Sequence, residues 1–188
     1  ESVDITALLN ENIARFDTTI LQKKKELLLN IPDEEIRTSV DKEAITKILS
    51  NLLNNALKYA DRTILVELEK DDTKFIVRVI SDGSKIPLNE SQQIFEPFYQ
   101  VEKKDTSVGG VGIGLPLARS LATLHKGQLY LDTEHARNAF VLDIPLNEES
   151  IQLHNSRMSE QYTVALDEDI TVEPENMQGY TLLLVEDN

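Results

Sequence analysis

The 188-residue sequence predicts an α+β domain, a two-layer α/β sandwich in which helices cover one face of a mixed, mainly antiparallel sheet. Three observations lead there. Three long stretches repeat apolar residues near the 3.6-residue period of a helix, several shorter ones read as strands, and the two kinds are interspersed along the first 146 residues. With no cysteine, neither a disulfide framework nor thiolate zinc contributes, so the core must be apolar packing.

The first stretch, Ile5 to Leu21, places Ile5, Leu8, Leu9, Ile13, Phe16 and Ile20 at helical spacing and predicts one helix. Glu26 to Ile31, stopped by Pro32, and Ile36 to Val40 predict strands. Asp41 is placed to cap a second helix, Lys42 to Ala60, with a buried stripe of Ile45, Ile48, Leu49, Leu52, Leu53, Ala56 and Leu57. Ile64 to Leu68 and Lys74 to Ile80, joined at Asp71 and Asp72, predict a hairpin. A short helix around Ser91 to Phe95 and a polar, flexible stretch from Gln100 to Val108 follow. A third long helix, Ile113 to Lys126, is expected to stop at Gly127, and Gln128 to Leu131 with Ala139 to Ile144 form a last hairpin before Pro145.

Charge divides the chain. Nineteen Lys and Arg against 33 Asp and Glu give a net charge of -14. Residues 1–146 hold 23 acids and 18 bases, a net of -5, while residues 147–188 hold 10 acids and one base, a net of -9. A field of this sign repels phosphate backbones and anionic membrane surfaces, so neither nucleic acid nor membrane contact is expected of this chain. No apolar run approaches the length of a transmembrane helix. Residues 1–146 are therefore expected to form a globular domain, residues 147–178 an acidic linker, and residues 179–188 a separate apolar segment. The expected location is cytoplasmic; a parent protein anchored in a membrane through other segments remains compatible with that.

Two clusters carry chemistry. Four of the seven glycines lie between Gly109 and Gly114, directly before a predicted helix. Such a loop lets backbone N–H groups close on phosphate at a helix N-terminus, although a tight turn or hinge also accounts for a lone glycine motif. The second helix bears Asn51, Asn54, Asn55 and Lys58. Positions 51, 55 and 58 share one helix face. Amide oxygens suit Mg2+ and a lysine one turn on suits phosphates, while the plainer reading is a solvated polar face.

Taken together, these segments resemble the ATP-binding catalytic domain of sensor histidine kinases. Asn51-Leu52-Leu53-Asn54-Asn55-Ala56-Leu57-Lys58-Tyr59 looks like that family's asparagine box, Ile94-Phe95-Glu96-Pro97-Phe98-Tyr99-Gln100 its phenylalanine box, and Gly110-Val111-Gly112-Ile113-Gly114-Leu115 its second glycine box. The order and spacing match over essentially residues 1–146. The resemblance implies the Bergerat ATP-binding fold shared with gyrase, heat-shock chaperones and mismatch-repair ATPases, with ATP and Mg2+ as cofactors. It implies that Asn55 coordinates Mg2+ and is catalytic together with Asn51, which supports the metal–phosphate cluster. Lys58 and Tyr59 are implied at the phosphate and ribose side, and Gly110, Gly112 and Gly114, with Ile113 and Leu115, along the triphosphate. Gln100 to Val108 would be the ATP lid, with Lys103 and Lys104 reaching the phosphates, and Phe95 and Phe98 would anchor it.

The first glycine box departs from the family pattern of Asp-x-Gly-x-Gly-Ile, whose Asp accepts from the adenine amino group. Ser81-Asp82-Gly83-Ser84-Lys85-Ile86 fits without gaps only with Ser81 at the Asp position and Lys85 at the second Gly; sliding by one makes Asp82 the adenine ligand. Both Ser81 and Asp82 stay open at this point, with Gly83 and Ile86 as further contacts. Asn138-Ala139 stands where the family tends to have Gly and a hydroxyl residue. ATP-hydrolysing relatives place a Glu four residues before the metal Asn; here that position is Asn51, which cannot act as a general base, so transfer to an external nucleophile is expected.

None of the three histidines, His125, His135 and His154, has the setting of a phosphoacceptor. The acceptor is therefore expected on a separate dimerisation domain ahead of the chain, making this a fragment of a homodimeric parent. Leu182 to Asn188 resembles the first strand of a receiver domain, which implies a hybrid kinase with a fused C-terminal receiver. The expected function is transfer of the γ-phosphoryl group of Mg-ATP to that histidine in two-component phosphorelay signalling. The competing expectation is a non-catalytic nucleotide-sensing or interaction module with a degenerate ATP site.

Overall fold

The computed structural model describes residues 2–101 and 111–146. The lid lysines Lys103 and Lys104, Gly110, the acidic linker and the receiver-like segment lie outside the described residues. In chain order the elements are β1 (Ser2–Asp4), α1 (Ile5–Ala14), α2 (Asp17–Gln22), β2 (Glu26–Asn30), β3 (Arg37–Ser39), α3 (Lys42–Tyr59), β4 (Thr63–Lys70), β5 (Lys74–Ser81), α4 (Gly114–Leu124), β6 (Gln128–Asp132) and β7 (Asn138–Pro145). No helix among the described residues is long and apolar enough to cross a membrane.

The main sheet has the order β2-β4-β5-β7-β6, with β2 parallel to β4 and every other pair antiparallel. The predicted α+β sandwich is thus the observed architecture. Strand parity assigns the faces. Ile64, Val66 and Leu68 of β4, Phe75, Val77 and Val79 of β5 and Phe140, Leu142 and Ile144 of β7 are buried in one core with the stripe of α3. Leu65, Glu67 and Arg78 on the opposite face are only half-buried.

Aspartates start two of the helices. Asp41 Oδ1 accepts from the Glu43 and Ala44 N–H groups at 2.9 and 3.1 Å, as its position in the sequence predicts, and Asp4 does the same for α1. At the far end of α3, Lys25 Nζ donates to the carbonyls of Ala60 and Asp61, and Lys23 Nζ to that of Leu57, where a cation meets the negative end of the helix dipole. The helix that carries the asparagines is therefore fixed at both ends.

Several boundaries differ from the sequence prediction. The helix expected over Ile5 to Leu21 is two, because the ladder tightens at Arg15 and Phe16, whose N–H groups donate three residues back to Asn12 and Ile13. Asn12, fully buried, donates to the Leu8 carbonyl and accepts from Ser50 Oγ, and a polar side chain that bonds back to its own helix bends it. Residues 36–40 shorten to β3, which pairs with the unpredicted β1 outside the main sheet. The short helix expected near Ser91 to Phe95 is two 3-10 turns, Leu88–Glu90 and Gln93–Phe95. At the end of α4 the left-handed residue is Lys126 (φ 58°), not Gly127. Gly127 is required for another reason, since a Cβ there would lie 2.3 Å from the Asp143 carbonyl oxygen.

Candidate functional site

Between the second half of α3 and the end of β5 the two layers part around a cavity of about 870 Å³. One wall is α3, contributing Asn51, Asn54, Asn55, Lys58 and Tyr59. The start of α4 adds Gly112, Ile113, Gly114, Leu115 and Pro116 to the lining. Ser81, Ile86, Asn138 and Phe140 close the sheet end. Most of the sequence-predicted residues are thus brought together, whereas Asp82 and Gly83 are not part of the lining.

The cavity has two chemically distinct ends. At one, Asn51 meets α4 so closely that a Cβ on Gly114 would sit 2.8 Å from Asn51 Oδ1. The first turn of α4 has no side-chain cap and no acidic residue. Its N-terminal N–H groups and positive dipole end therefore suit an anion, and Pro116 removes only a donor that the first turn could not use within the helix. At the other end, Tyr59 lies eight residues along α3 from Asn51, about 12 Å at the rise of an α-helix. There the Lys58 ammonium sits 4.7 Å from the centre of the Tyr59 ring. A Cβ on Gly83 would collide with the Tyr59 carbonyl oxygen at 1.9 Å, so this glycine permits the β5 loop to touch the end of α3. Its role is packing that positions the site.

Parity separates Ser81 from Asp82. Ser81 continues the inward row of Phe75, Val77 and Val79, is 5% exposed and borders the cavity. Asp82 leaves the other way. Its Oδ1 accepts from the N–H groups of Asp61 and Arg62 and its Oδ2 from that of Thr63, at 2.8 to 3.0 Å. Desolvation pulls the Asp82 pKa up, but these backbone donors outweigh it and hold the carboxyl below its ordinary value. The carboxylate shapes the α3–β4 connection.

The two departures from the family's glycine pattern act as struts. Asn138, 3% exposed and opposite Ser81 in the β5–β7 ladder, donates from Nδ2 to the Gly83 and Ser84 carbonyls and accepts from the Ile86 N–H at 2.9 Å. Lys85 Nζ bonds the carbonyls of His135 and Arg137. The sequence marked Asn138 and Lys85 as departures without showing this task, because the bonds join segments more than fifty residues apart.

The phenylalanine box splits. Phe95 is buried edge-on against Phe140, with ring centroids 6.3 Å apart and the Arg119 guanidinium over its face at 4.9 Å. Phe98 does not pack as expected: it is 70% exposed, in the left-handed region at φ 66°. Its backbone is the anchor, for the Phe98 N–H donates to the Gly112 carbonyl at 3.0 Å, and Gly112, at φ 74°, has no room for a side chain against Phe98. The buried His125, which caps the end of α4, bonds the Leu121 carbonyl through Nδ1 and accepts from the Asp41 N–H through Nε2, tying the end of α4 to the start of α3.

Sandwich, asparagine-bearing helix and uncapped helix N-terminus around one cavity define a nucleotide-binding α+β domain. The family described as Histidine kinase-, DNA gyrase B-, and HSP90-like ATPase matches residues 40–148, more than half of the chain, and the chain belongs to that family. Similar curated proteins include the sensor histidine kinase WalK of Bacillus subtilis, 28% identical over 155 residues, and the alginate biosynthesis sensor protein KinB of Pseudomonas aeruginosa, 30% identical over 148. These alignments cover 79% and 77% of this chain but 25% and 24% of the relatives, so the chain spans about a quarter of their length. Among solved structures, the nucleotide-free catalytic domain of histidine kinase ThkA superposes with a TM-score of 0.69 at 24% identity, covering 78% of this chain and 97% of that one. Full-length ShkA in complex with AMPPNP gives 0.63 at 22% identity, covering 77% and 30%. These likenesses show the shared fold.

Proposed function

We propose that the chain is the ATP-binding catalytic domain of a sensor histidine kinase, passing the γ-phosphoryl group of ATP to a histidine on a separate dimerisation domain. One observation carries this reading: Asn51, Asn55 and Lys58 on one face of α3 line a single cavity together with the open N-terminus of α4. Asn55 and Asn51 bring amide oxygens without charge, a donor set that fits a hard cation sharing its remaining positions with phosphate oxygens and water. When bound, Mg2+ neutralises charge on the triphosphate. Asn55 would hold it, Asn51 would orient the cluster and the α4 N–H groups would fix the phosphates, while Lys58, whose ammonium lies by the Tyr59 ring, would add positive charge from the ribose side; catalysis then rests on positioning and electrostatics. With an amide at Asn51, no residue there can take a proton from water, which favours transfer over hydrolysis.

The proposed organisation is a catalytic domain over residues 1–146, a linker over 147–178 and the start of a receiver from 179, within a homodimeric hybrid kinase. A solved complex pairs ThkA with the response regulator TrrA, which supports a receiver as partner. Mixing the chain with its own dimerisation domain and γ-labelled ATP is expected to label a histidine, and Asn55→Ala to abolish that label; labelling that survives the substitution overturns the assignment of Asn55. The altered first glycine box, with Ser81 where the family has a carboxylate, favours one second reading, a non-catalytic nucleotide-sensing or interaction module with a degenerate ATP site, which predicts millimolar or absent ATP binding by calorimetry in a folded chain and no labelled histidine.

A further inference from the structure

Among the described residues the sheet end of the cavity carries no acceptor-only side chain. Among the described residues no Asp or Glu lines the cavity at all. Asp82 is consumed by three backbone donors, Lys85 by two carbonyls, and the Asn138 amide by the Gly83, Ser84 and Ile86 backbone. Beside the apolar walls of Ile86 and Phe140 the buried polar side chain left is the Ser81 hydroxyl, on a residue 95% buried that makes no side-chain hydrogen bond with the described residues and borders the open volume, whereas the other serine of the lining, Ser84, is exposed to solvent. Ala139, next in the facing strand, adds no polar group.

A carboxylate only accepts, so at this position it would favour an exocyclic amino group and repel a carbonyl oxygen. A hydroxyl donates one hydrogen bond and accepts others. It satisfies either a 6-amino or a 6-oxo purine by rotating one torsion. Ser81 lies two residues from Gly83, at the Tyr59 end of the cavity, about 12 Å along α3 from the anion-binding end. That separation suits a base at Ser81 when phosphates sit at α4.

We propose that Ser81 makes the site permissive at purine position 6, so that the protein binds 6-oxo and 6-amino purine nucleoside triphosphates with similar affinity. This rests on the nucleotide-binding reading above and narrows it to a ligand class. The test is calorimetric titration of the whole chain, with Mg2+ present, using ATP and inosine triphosphate, which differ at that position and in the proton that the 6-oxo base carries on the adjoining N1. The expected dissociation constants lie within tenfold of each other. Ser81→Asp is expected to spread the ratio beyond tenfold in favour of ATP, and Ser81→Ala to weaken both nucleotides by the same factor, circular dichroism confirming that each variant is folded. ATP bound more than tenfold tighter by the native chain overturns the proposal and leaves the nucleotide-binding reading standing. An unchanged ratio in folded Ser81→Asp, or unequal losses in Ser81→Ala, overturns it likewise. Failure of both nucleotides to bind the native chain overturns both readings.

Discussion

Ser81 and Asp82 are neighbours in sequence, yet they leave the end of β5 on opposite sides, Ser81 toward the cavity and Asp82 into the backbone of residues 61–63. The only carboxylate in this stretch is therefore structural, and the residue that faces the proposed ligand is a neutral hydroxyl. Ser81→Ala and Asp82→Ala should separate cleanly: the first changes nucleotide affinity with little effect on folding, and the second the reverse. Removing the Asp82 acceptor is expected to cost about 1–3 kcal/mol of stability. Urea denaturation alongside nucleotide titration checks both.

The same carboxylate predicts a pH dependence. Its folded pKa is held below the ordinary value, so its contribution is complete above the unfolded pKa, near 4, and is lost as pH falls through the folded value. The stability gap between the native chain and Asp82→Ala should therefore be widest at neutral pH and narrow steadily below about pH 4. Denaturation midpoints at pH 7 and pH 3 measure it, and a gap that widens in acid contradicts the assignment.

Asn138→Ala frees the loop from Gly83 to Ile86 and leaves the Ile86 N–H and the Gly83 and Ser84 carbonyls without their partner. A loss of about 1–3 kcal/mol is expected, with weaker nucleotide binding as the loop loses its shape. Lys85→Ala should cost under about 1 kcal/mol, because Lys85 is exposed. Thermal unfolding of the two variants gives the order.

Gly112→Ala should impair the site more than an ordinary surface change. The left-handed backbone at φ 74° costs an L-residue about 1–2 kcal/mol, and the added Cβ would meet the Phe98 carbonyl carbon at 2.9 Å. Nucleotide affinity is expected to fall because Phe98 and Gly112 hold the two ends of the segment between them. Unaltered affinity in a folded Gly112→Ala variant would show that this clasp is dispensable.

His125→Ala removes the acceptor for the Asp41 N–H and a donor to the Leu121 carbonyl between α3 and α4. The expected cost is about 1–3 kcal/mol, with the asparagine helix less firmly held and nucleotide affinity reduced in step. His135→Ala, half-buried in the β6–β7 turn and accepting from the Arg137 N–H two residues on, removes only a local bond and should cost less, about 0.5–1.5 kcal/mol.

The long asparagine-bearing helix, the antiparallel hairpins and the identity of the asparagine face are legible in the sequence, because each depends on periodicity within one segment. α3 shows this best: its Asp41 cap, its apolar stripe and its Asn51–Asn55–Lys58 face are all readable without a partner. Even the opposite directions of Ser81 and Asp82 follow from the alternation of Phe75, Val77 and Val79, once β5 is known to continue through Ser81. Tertiary structure alone decided what these residues do. That Asp82 is spent on residues 61–63, that Asn138 and Lys85 brace the opposite loop, and that Gly83 is demanded by Tyr59 all arise from contacts between segments distant in the chain, which no local pattern encodes. Burial supplies the physical reason: a polar group withdrawn from water must find a partner, and packing of the two layers chooses which one.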